Sequence, residues 1–188
     1  MTKRLRRAVQ EANLQLHQKA LVVPELTGMA TTLTATALVG GSLVAAHVGD
    51  SRLFLLRDGT IVQLTKDHTW VAEQIAYGRL TPEAARRHPR RSQLTRSLGT
   101  ELIVGIDVLS LDVRPGDVVV QCSDGVHGVL DPPTIAEIVL AEAPATACRA
   151  LVARALADGS LDNCSVQIAR VIDCPPSAPR PPWWRLGR

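Results

Sequence analysis

Residues 29–65 read MATTLTATALVGGSLVAAHVGDSRLFLLRDGTIVQLT, and this stretch decides the fold. Runs rich in Thr, Val and Ala flank Gly40-Gly41, which predicts a hairpin closed by a tight turn. A second pair of apolar runs flanks Asp58-Gly59, a dipeptide that readily supplies the positive φ angles of a two-residue turn. The stretch therefore predicts four strands in two consecutive hairpins, over 29–38, 42–48, 52–57 and 60–65.

Outward from these hairpins, the sequence shows helical and strand patterns in turn. Apolar residues recur at helical spacing from Leu5 to Leu16, which predicts an amphipathic helix. Thr81-Pro82-Glu83 supplies an N-cap, a proline at the first helical position and an early acidic residue. We expect helices over 3–19, 70–77, 134–140 and 146–156 and a short one from 82, and strands over 108–113, 118–122 and 164–172.

The order of these elements predicts the fold class. Arg-Pro-Gly-Asp at 114–117 is the turn expected between the strands over 108–113 and 118–122. Hairpins followed by a helical pair and a last strand indicate two antiparallel sheets with helices outside. The chain has 188 residues, 46% of them hydrophobic but only 3% aromatic, so its core must consist of Ala, Val, Leu and Ile. We expect a single α+β domain.

Charge and cysteine usage exclude several classes of protein. The net charge of +3 comes from three separate basic clusters, at 3–7, 86–96 and 180–188, and these lack interleaved aromatic residues. We therefore expect no nucleic-acid binding. The four cysteines show no CxxC spacing, the first residues lead into a polar helix pattern, and no run of about 18 apolar residues occurs. We expect a cytoplasmic chain without a signal peptide or a membrane span.

Three aspartates stand beside small or polar residues at the ends of predicted strands: Asp50 in Gly-Asp-Ser-Arg, Asp124 in Ser-Asp-Gly and Asp162 in Asp-Asn. An aspartate at a strand end beside a small residue places a carboxylate where a metal ion and its substrate can approach closely. Taken singly, each of these short motifs is more often only a turn. Together, the three carboxylates could meet at one end of a β-sandwich and bind a hard cation such as Mg²⁺ or Mn²⁺.

Seven short segments of the sequence carry a further signal, and they are 28–32, 46–52, 64–68, 88–89, 94–96, 123–125 and 162–163. In this order, they resemble motifs of the bacterial metal-dependent PPM (PP2C-type) protein serine/threonine phosphatases. The resemblance implies a PP2C-like β-sandwich of two antiparallel sheets flanked by helices, and hydrolysis of phosphoserine and phosphothreonine in proteins by a metal-activated water. It implies that Asp124 and Asp162 bind the catalytic Mn²⁺ or Mg²⁺ and that Asp50 contributes to a third, weaker metal site. Phosphorylated proteins would be substrates, and a cognate kinase a further partner.

The resemblance also implies an organisation of the chain. A partial phosphatase domain is expected over 1–173, with a flap beside the active site over about 67–98, followed by a Pro-rich tail over 174–188. The Arg and the Asp-Gly metal motif that open the family domain are absent before Lys3, so we expect an N-terminally truncated sandwich with at best a mononuclear site. Three explanations stay open: a fragment of an active phosphatase, an inactive relative that binds phosphoproteins or regulators, or a domain completed by a separate polypeptide.

No Ser or Cys nucleophile is needed for that chemistry. Cys122 precedes Ser123-Asp124, but no Cys-x5-Arg phosphate loop follows it, so we interpret it as a buried strand residue. His47 alternates with apolar neighbours, which leaves it either a hydrogen-bonded core residue or a residue near the site. His68 falls in a family-like segment, and we assign it no catalytic role.

Overall fold

The computed structural model describes residues 1–175, which contain six α-helices and seven β-strands. The helices are α1 Thr2–Val22, α2 Trp70–Ala76, α3 Pro82–Arg86, α4 Asp124–His127, α5 Pro132–Ala141 and α6 Pro144–Ala157. The strands are β1 Leu33–Val39, β2 Ser42–Val48, β3 Arg52–Arg57, β4 Thr60–Gln63, β5 Asp107–Asp112, β6 Val118–Cys122 and β7 Val166–Arg170. Every predicted helix and strand is present, and α4 is an addition to them. Within these 175 residues, no helix combines the length and the apolar character needed to cross a membrane.

The strands form two antiparallel sheets, one with the order β1-β2-β5 and one with the order β4-β3-β6-β7. The first hairpin turns at Gly40 and Gly41, whose φ angles are 54° and 77°. The second turns at Asp58 and Gly59, with φ angles of 51° and 77°. Such positive angles belong to the two-residue turns that match the right-handed twist of paired strands. Both predicted hairpins are confirmed.

The chain crosses from one sheet to the other at two short connections. Residues 49–51 lead from β2 in the three-stranded sheet to β3 in the four-stranded sheet. Residues 113–117 lead from β5, which pairs with β2, to β6, which pairs with β3 and β7. The Arg-Pro-Gly-Asp sequence therefore forms the predicted turn, but the strands on its two sides belong to different sheets.

The core consists of three apolar clusters, one between the two sheets and one between each sheet and its helices. Successive side chains of a strand point to opposite faces of its sheet. Leu43 of β2 and Leu53 of β3 accordingly pack between the two sheets, whereas Phe54 packs against α4, α5 and α6. On the outer face of the three-stranded sheet, Ala46 packs with Val9 of α1. The layers run helix, sheet, sheet, helix, which confirms the predicted α+β sandwich flanked by helices.

An ion pair between the buried Asp117 and the partly exposed Arg57 links the second crossing to β3. The Asp117 side chain is 1% exposed and accepts hydrogen bonds from Arg57 Nε at 2.8 Å and from Arg57 Nη2 at 2.6 Å. It also accepts one from the Arg114 amide at 2.9 Å. The bonds from Arg57 hold the pKa of Asp117 below its ordinary value. This paired geometry is the strong form of an arginine–carboxylate contact.

We expect Asp117→Ala to lower the free energy of unfolding by about 3 kcal/mol at pH 7, because Arg57 and the Arg114 amide both lose a buried acceptor. Since folding lowers the pKa of Asp117, this stabilisation is present above about pH 4 and is lost as the pH falls further. Urea unfolding at neutral and acid pH measures both effects, with the exposed Asp173→Ala as the control. Equal losses at the two pH values would contradict an ionic role for Asp117.

Candidate active site

One end of the four-stranded sheet carries all three aspartates singled out in the sequence. Arg52 at the start of β3 pairs with Cys122 at the end of β6, and Cys122 pairs in turn with the first residue of β7. Asp50 lies just before β3, Asp124 lies just after β6, and Asp162 lies in the loop that leads into β7. The register of the strands therefore brings the three loops to the same edge.

Asp124 lies in the first turn of a short helix. α4 begins directly after Ser123, and Asp124 Oδ1 accepts a hydrogen bond from the Gly125 amide at 3.0 Å. An acidic residue at this position is favoured by the partial positive charge of a helix N-terminus. The sequence predicted an aspartate at a strand end followed by glycine, but it did not predict α4. A helix of four residues is too short to produce a periodic pattern of apolar residues.

α4 contacts the loops that carry the other two aspartates. At its end, His127 Nε2 donates a hydrogen bond to the carbonyl oxygen of Asp50 at 2.9 Å. At its start, Ser123 Oγ donates one to the carbonyl oxygen of Asn163 at 3.0 Å. A Cβ at position 125 would lie 2.5 Å from that same oxygen, so only glycine lets the loop pack this closely. The helix thus joins three segments that are far apart in the sequence.

Asp50 and Asp124 are close enough for their charges to interact. Burial raises the pKa of the Asp50 carboxyl to about 6, and the charge of Asp124 adds to this shift. Neighbouring carboxylates repel when both are ionised, and a bound cation relieves that repulsion. Among residues 1–175, no group of three or more His, Cys, Asp or Glu could hold a metal ion. The structure brings Asp50 and Asp124 together and places Asp162 at the same edge, and the three-carboxylate site stays a prediction.

The turn before Asp50 depends on Gly49 and on a histidine that the sequence left unassigned. Gly49 has a φ of 109°, and a Cβ there would lie 2.4 Å from the Cβ of Thr32. The His68 amide donates to the Gly49 carbonyl at 2.8 Å, and His68 Nδ1 accepts from the Gly49 amide at 3.0 Å. The buried His68 ring packs on His47, with centroids 4.7 Å apart. His68 therefore positions the loop of Asp50.

Arg52, the last residue of the Gly-Asp-Ser-Arg motif, also has a structural partner. Its Nε and Nη2 atoms donate to the two carboxylate oxygens of Asp67 at 2.7 to 3.1 Å. Gln63 Nε2 donates to the same carboxylate at 3.1 Å. The Arg52–Asp67 pair links the start of β3 to the segment that leads to His68. No pattern in the sequence indicated this pair.

His47 and Cys122 both belong to the core. His47 is 2% exposed and is hydrogen-bonded to Thr34 Oγ1 at 2.9 Å and to the Lys66 carbonyl oxygen at 3.0 Å. It is thus the hydrogen-bonded core residue that was one of the two alternatives. Burial raises the pKa of the Cys122 thiol to about 12, so its thiolate is scarce at neutral pH. The interpretation of Cys122 as a buried strand residue is confirmed.

We expect Asp50→Asn to stabilise the metal-free chain by about 1 kcal/mol at pH 7 and to have little effect near pH 4. In the folded chain the Asp50 carboxyl keeps its proton up to about pH 6, whereas in the unfolded chain it ionises near pH 4. The stability of the wild type should therefore fall as the pH rises through this window, and the amide should remove that loss. Urea unfolding of both proteins in EDTA between about pH 4 and about pH 7 measures this difference in stability. A difference that does not change with pH would contradict the raised pKa of Asp50.

The comparisons with known proteins agree with this architecture. A family model described as Protein phosphatase 2C matches residues 1–158. The serine/threonine protein phosphatase PstP of Mycobacterium tuberculosis is 39% identical over 166 residues, which are 88% of this chain and 32% of PstP. The serine/threonine phosphatase stp of Listeria welshimeri is 36% identical over 164 residues, which are 86% of this chain and 65% of stp. The chain thus spans about a third of the first relative and just under two thirds of the second.

Solved structures show the same fold. The crystal structure of M. tuberculosis PstP/Ppp has a TM-score of 0.85 at 38% identity. The match covers 90% of this chain and 72% of the PstP/Ppp chain. A structure of the PstP catalytic domain in complex with two manganese ions has a TM-score of 0.81 at 36% identity, with coverages of 92% and 72%. Because the family model matches well over half of the chain and the solved structures share its fold, the chain belongs to the protein phosphatase 2C family.

Proposed function

We propose that the chain catalyses metal-dependent hydrolysis of phosphoserine and phosphothreonine in proteins. The observation that carries the proposal is α4, which places Asp124 between the loops of Asp50 and Asp162 at one edge of a sheet. The related PstP and stp proteins are serine/threonine phosphatases, which supports the same reaction class for this chain.

The carboxylate oxygens at this edge are the kind of donor atom that a hard divalent cation, Mn²⁺ or Mg²⁺, prefers. Such ions prefer oxygen ligands, and the raised pKa of Asp50, due to burial and then to Asp124, is one that a nearby cation would lower. A related PstP domain forms a complex with two manganese ions. We assign Asp124 and Asp162 to the catalytic ion and Asp50 to a further, weaker site. When bound, the ion activates water for attack on phosphorus and neutralises charge on the phosphoryl oxygens.

The residues of the chain hold the carboxylates in place and do not attack the phosphate themselves. The Gly125 amide orients the Asp124 carboxylate, and His127 holds the Asp50 loop through its ring N–H. Burial lowers the pKa of His127, so the ring is neutral at physiological pH and carries its proton on Nε2, the atom that donates to the Asp50 carbonyl. Cys122 is the thiol next to the motif, and burial keeps it protonated. Direct attack by water, without a phosphoenzyme, is therefore the mechanism that we propose.

We also propose the biological setting that this reaction requires. Phosphorylated Ser/Thr proteins are the substrates, a cognate kinase supplies them, and the cytoplasm is the compartment. The four cysteines are free thiols, which supports a reducing environment. The phosphatase domain over 1–173 and the flap over 67–98 stay predictions. Apart from residues 174 and 175, the predicted Pro-rich tail lies outside the described residues.

Phosphate release from a phosphothreonine peptide tests the proposed function. Release should require added Mn²⁺ and stop with EDTA, and isothermal titration calorimetry should detect Mn²⁺ binding to the chain. Peptide binding at saturating Mn²⁺ without any release would contradict the proposal and support an inactive relative that binds phosphoproteins.

A further inference from the structure

A short basic surface has no role in the chemistry proposed above. It consists of Arg86, Arg87, Arg90 and Arg91, all exposed, and we name these four residues the arginine surface. None of them forms a salt bridge with any side chain in the part of the chain that the structure describes. Glu83 is the only acidic residue between positions 74 and 100. The local positive charge is therefore largely uncompensated and favours an anionic partner.

Trp70 contacts one of the four arginines and the neighbouring His88. The His88 ring stacks on Trp70 with centroids 4.8 Å apart, and the Arg90 guanidinium lies 5.1 Å from the centroid of the Trp70 ring. The Trp70 amide donates a hydrogen bond to the Gln93 carbonyl at 2.9 Å. This bond joins the residue before the arginines to the stretch that follows them. Arg90 thus has a partner in the ring. The other three guanidinium groups form no salt bridge among residues 1–175, so they can pair with an external anion.

The segment that carries the arginine surface begins and ends beside the loop of Asp50. His68 bonds to Gly49 through both its amide and its ring, as described above. The His68 carbonyl accepts a hydrogen bond from the Thr95 amide at 2.9 Å. The two ends of the segment are therefore tied together next to the candidate active site.

Arg86 lies on the side of the molecule where α5 begins. A cleft of about 530 Å³ is lined by Arg86 and by Glu83, among others. The pKa of Asp131, the N-cap of α5, is lowered chiefly by hydrogen bonds from Thr134, and the charge of Arg86 adds to this shift. Arg86 therefore lies near the N-terminus of α5, the helix that follows α4 in the chain.

We propose that the arginine surface binds acidic residues that flank the phosphorylated residue of the substrate proteins. The inference rests on the proposed function, since it assigns the substrate class of that same site. Guanidinium groups pair with carboxylates through two parallel hydrogen bonds, and basic flanking residues would be repelled. The segment that carries the surface is anchored next to the loop of Asp50, so the surface recognises the sequence around the phosphate and not the phosphate itself.

Binding of fluorescein-labelled peptides to the chain in EDTA, measured by anisotropy, tests the inference without turnover. The peptides share a central phosphothreonine flanked by glutamates, alanines or lysines, and a further glutamate-flanked peptide has an unmodified threonine. We expect the glutamate-flanked peptide to bind about tenfold more tightly than the alanine-flanked one, because each exposed ion pair contributes up to about fivefold. The same preference should persist without the phosphate and weaken as salt is added.

The combined replacement R86A/R87A/R91A should remove most of this preference. The three side chains are exposed, so the thermal unfolding midpoint of the variant should equal that of the wild type. A variant that keeps the full preference for glutamate would overturn the inference.

The combined replacement K3A/R6A/R7A in α1 is the matched control, because it removes the same charge from another exposed surface. This control should keep the preference for the glutamate-flanked peptide. If it lost the preference as fully as R86A/R87A/R91A, overall charge would explain the binding and the inference would be overturned. Displacement of the glutamate-flanked peptide by a DNA duplex at the same salt would also overturn it.

Phosphate release from the same peptides separates this inference from the proposed function. Equal kcat/KM values for the glutamate- and alanine-flanked peptides would overturn the inference while the phosphatase activity stands. Arginine-dependent binding without any release would contradict the activity and support the arginine surface as a docking site for acidic residues.

Discussion

Replacing Asp124 by alanine is expected to lower Mn²⁺-dependent phosphate release by at least about a hundredfold, because this carboxylate is proposed to bind the catalytic ion. Asp124 is the carboxylate whose charge adds to the pKa shift of Asp50, and it lies on the helix that joins the three loops. Its removal should also weaken Mn²⁺ binding, so the loss should persist across a wide range of Mn²⁺ concentrations. Steady-state kinetics with a phosphothreonine peptide and calorimetric Mn²⁺ titration measure the two effects.

Asp124→Asn separates the charge from the fold. The asparagine oxygen can still accept the hydrogen bond from the Gly125 amide, so α4 should form while the activity is lost. Glu137→Ala removes an exposed carboxylate on α5 and should behave as the wild type. Full activity in both Asp124 variants would show that this carboxylate does not bind the catalytic ion.

The hairpins could be predicted because each depends on residues that are close in sequence. Gly40-Gly41 and Asp58-Gly59 determine the type of turn, and the turn determines the register of the two strands beside it. Pairing across the sheets has no such local signal. Asp117 bonds to Arg57 across 60 positions, and contacts of this kind decide that the turn before β6 changes sheets. The turn was therefore predictable from its sequence, but the crossing was not.

The aspartates of the candidate site could also be found from the sequence, but what holds them together could not. The bond from His127 to Asp50 joins residues 77 positions apart, and the bond from Ser123 to Asn163 joins residues 40 positions apart. His68 shows the same limit, because its contacts with the loop before Asp50 depend on tertiary packing. Residue types at a motif predict which donors are present, whereas their electrostatics depend on burial and on neighbours from other loops.

A methyl group at position 125 is expected to damage the fold, although alanine in a helix is normally favourable by up to about 1 kcal/mol over glycine. The added Cβ would lie 2.5 Å from the carbonyl oxygen of Asn163 and 3.0 Å from its carbon. Because that carbonyl also accepts the Ser123 hydroxyl, it cannot withdraw without losing a hydrogen bond. We therefore expect Gly125→Ala to lower the free energy of unfolding by about 2 kcal/mol, as measured by urea unfolding.

The same displacement should move Asp162, which precedes Asn163, away from α4, and Mn²⁺ affinity in the folded variant should fall by about tenfold. Gly105→Ala is the control, because its added Cβ would meet only the Arg96 side chain, at 3.5 Å. That change should alter the free energy of unfolding by less than about 0.5 kcal/mol. If Gly125→Ala is destabilised but binds Mn²⁺ as the wild type does, the packing of α4 stabilises the fold without setting the metal site, and Asp162 is then not a ligand. A joint loss of stability and affinity is the result expected if α4 organises both.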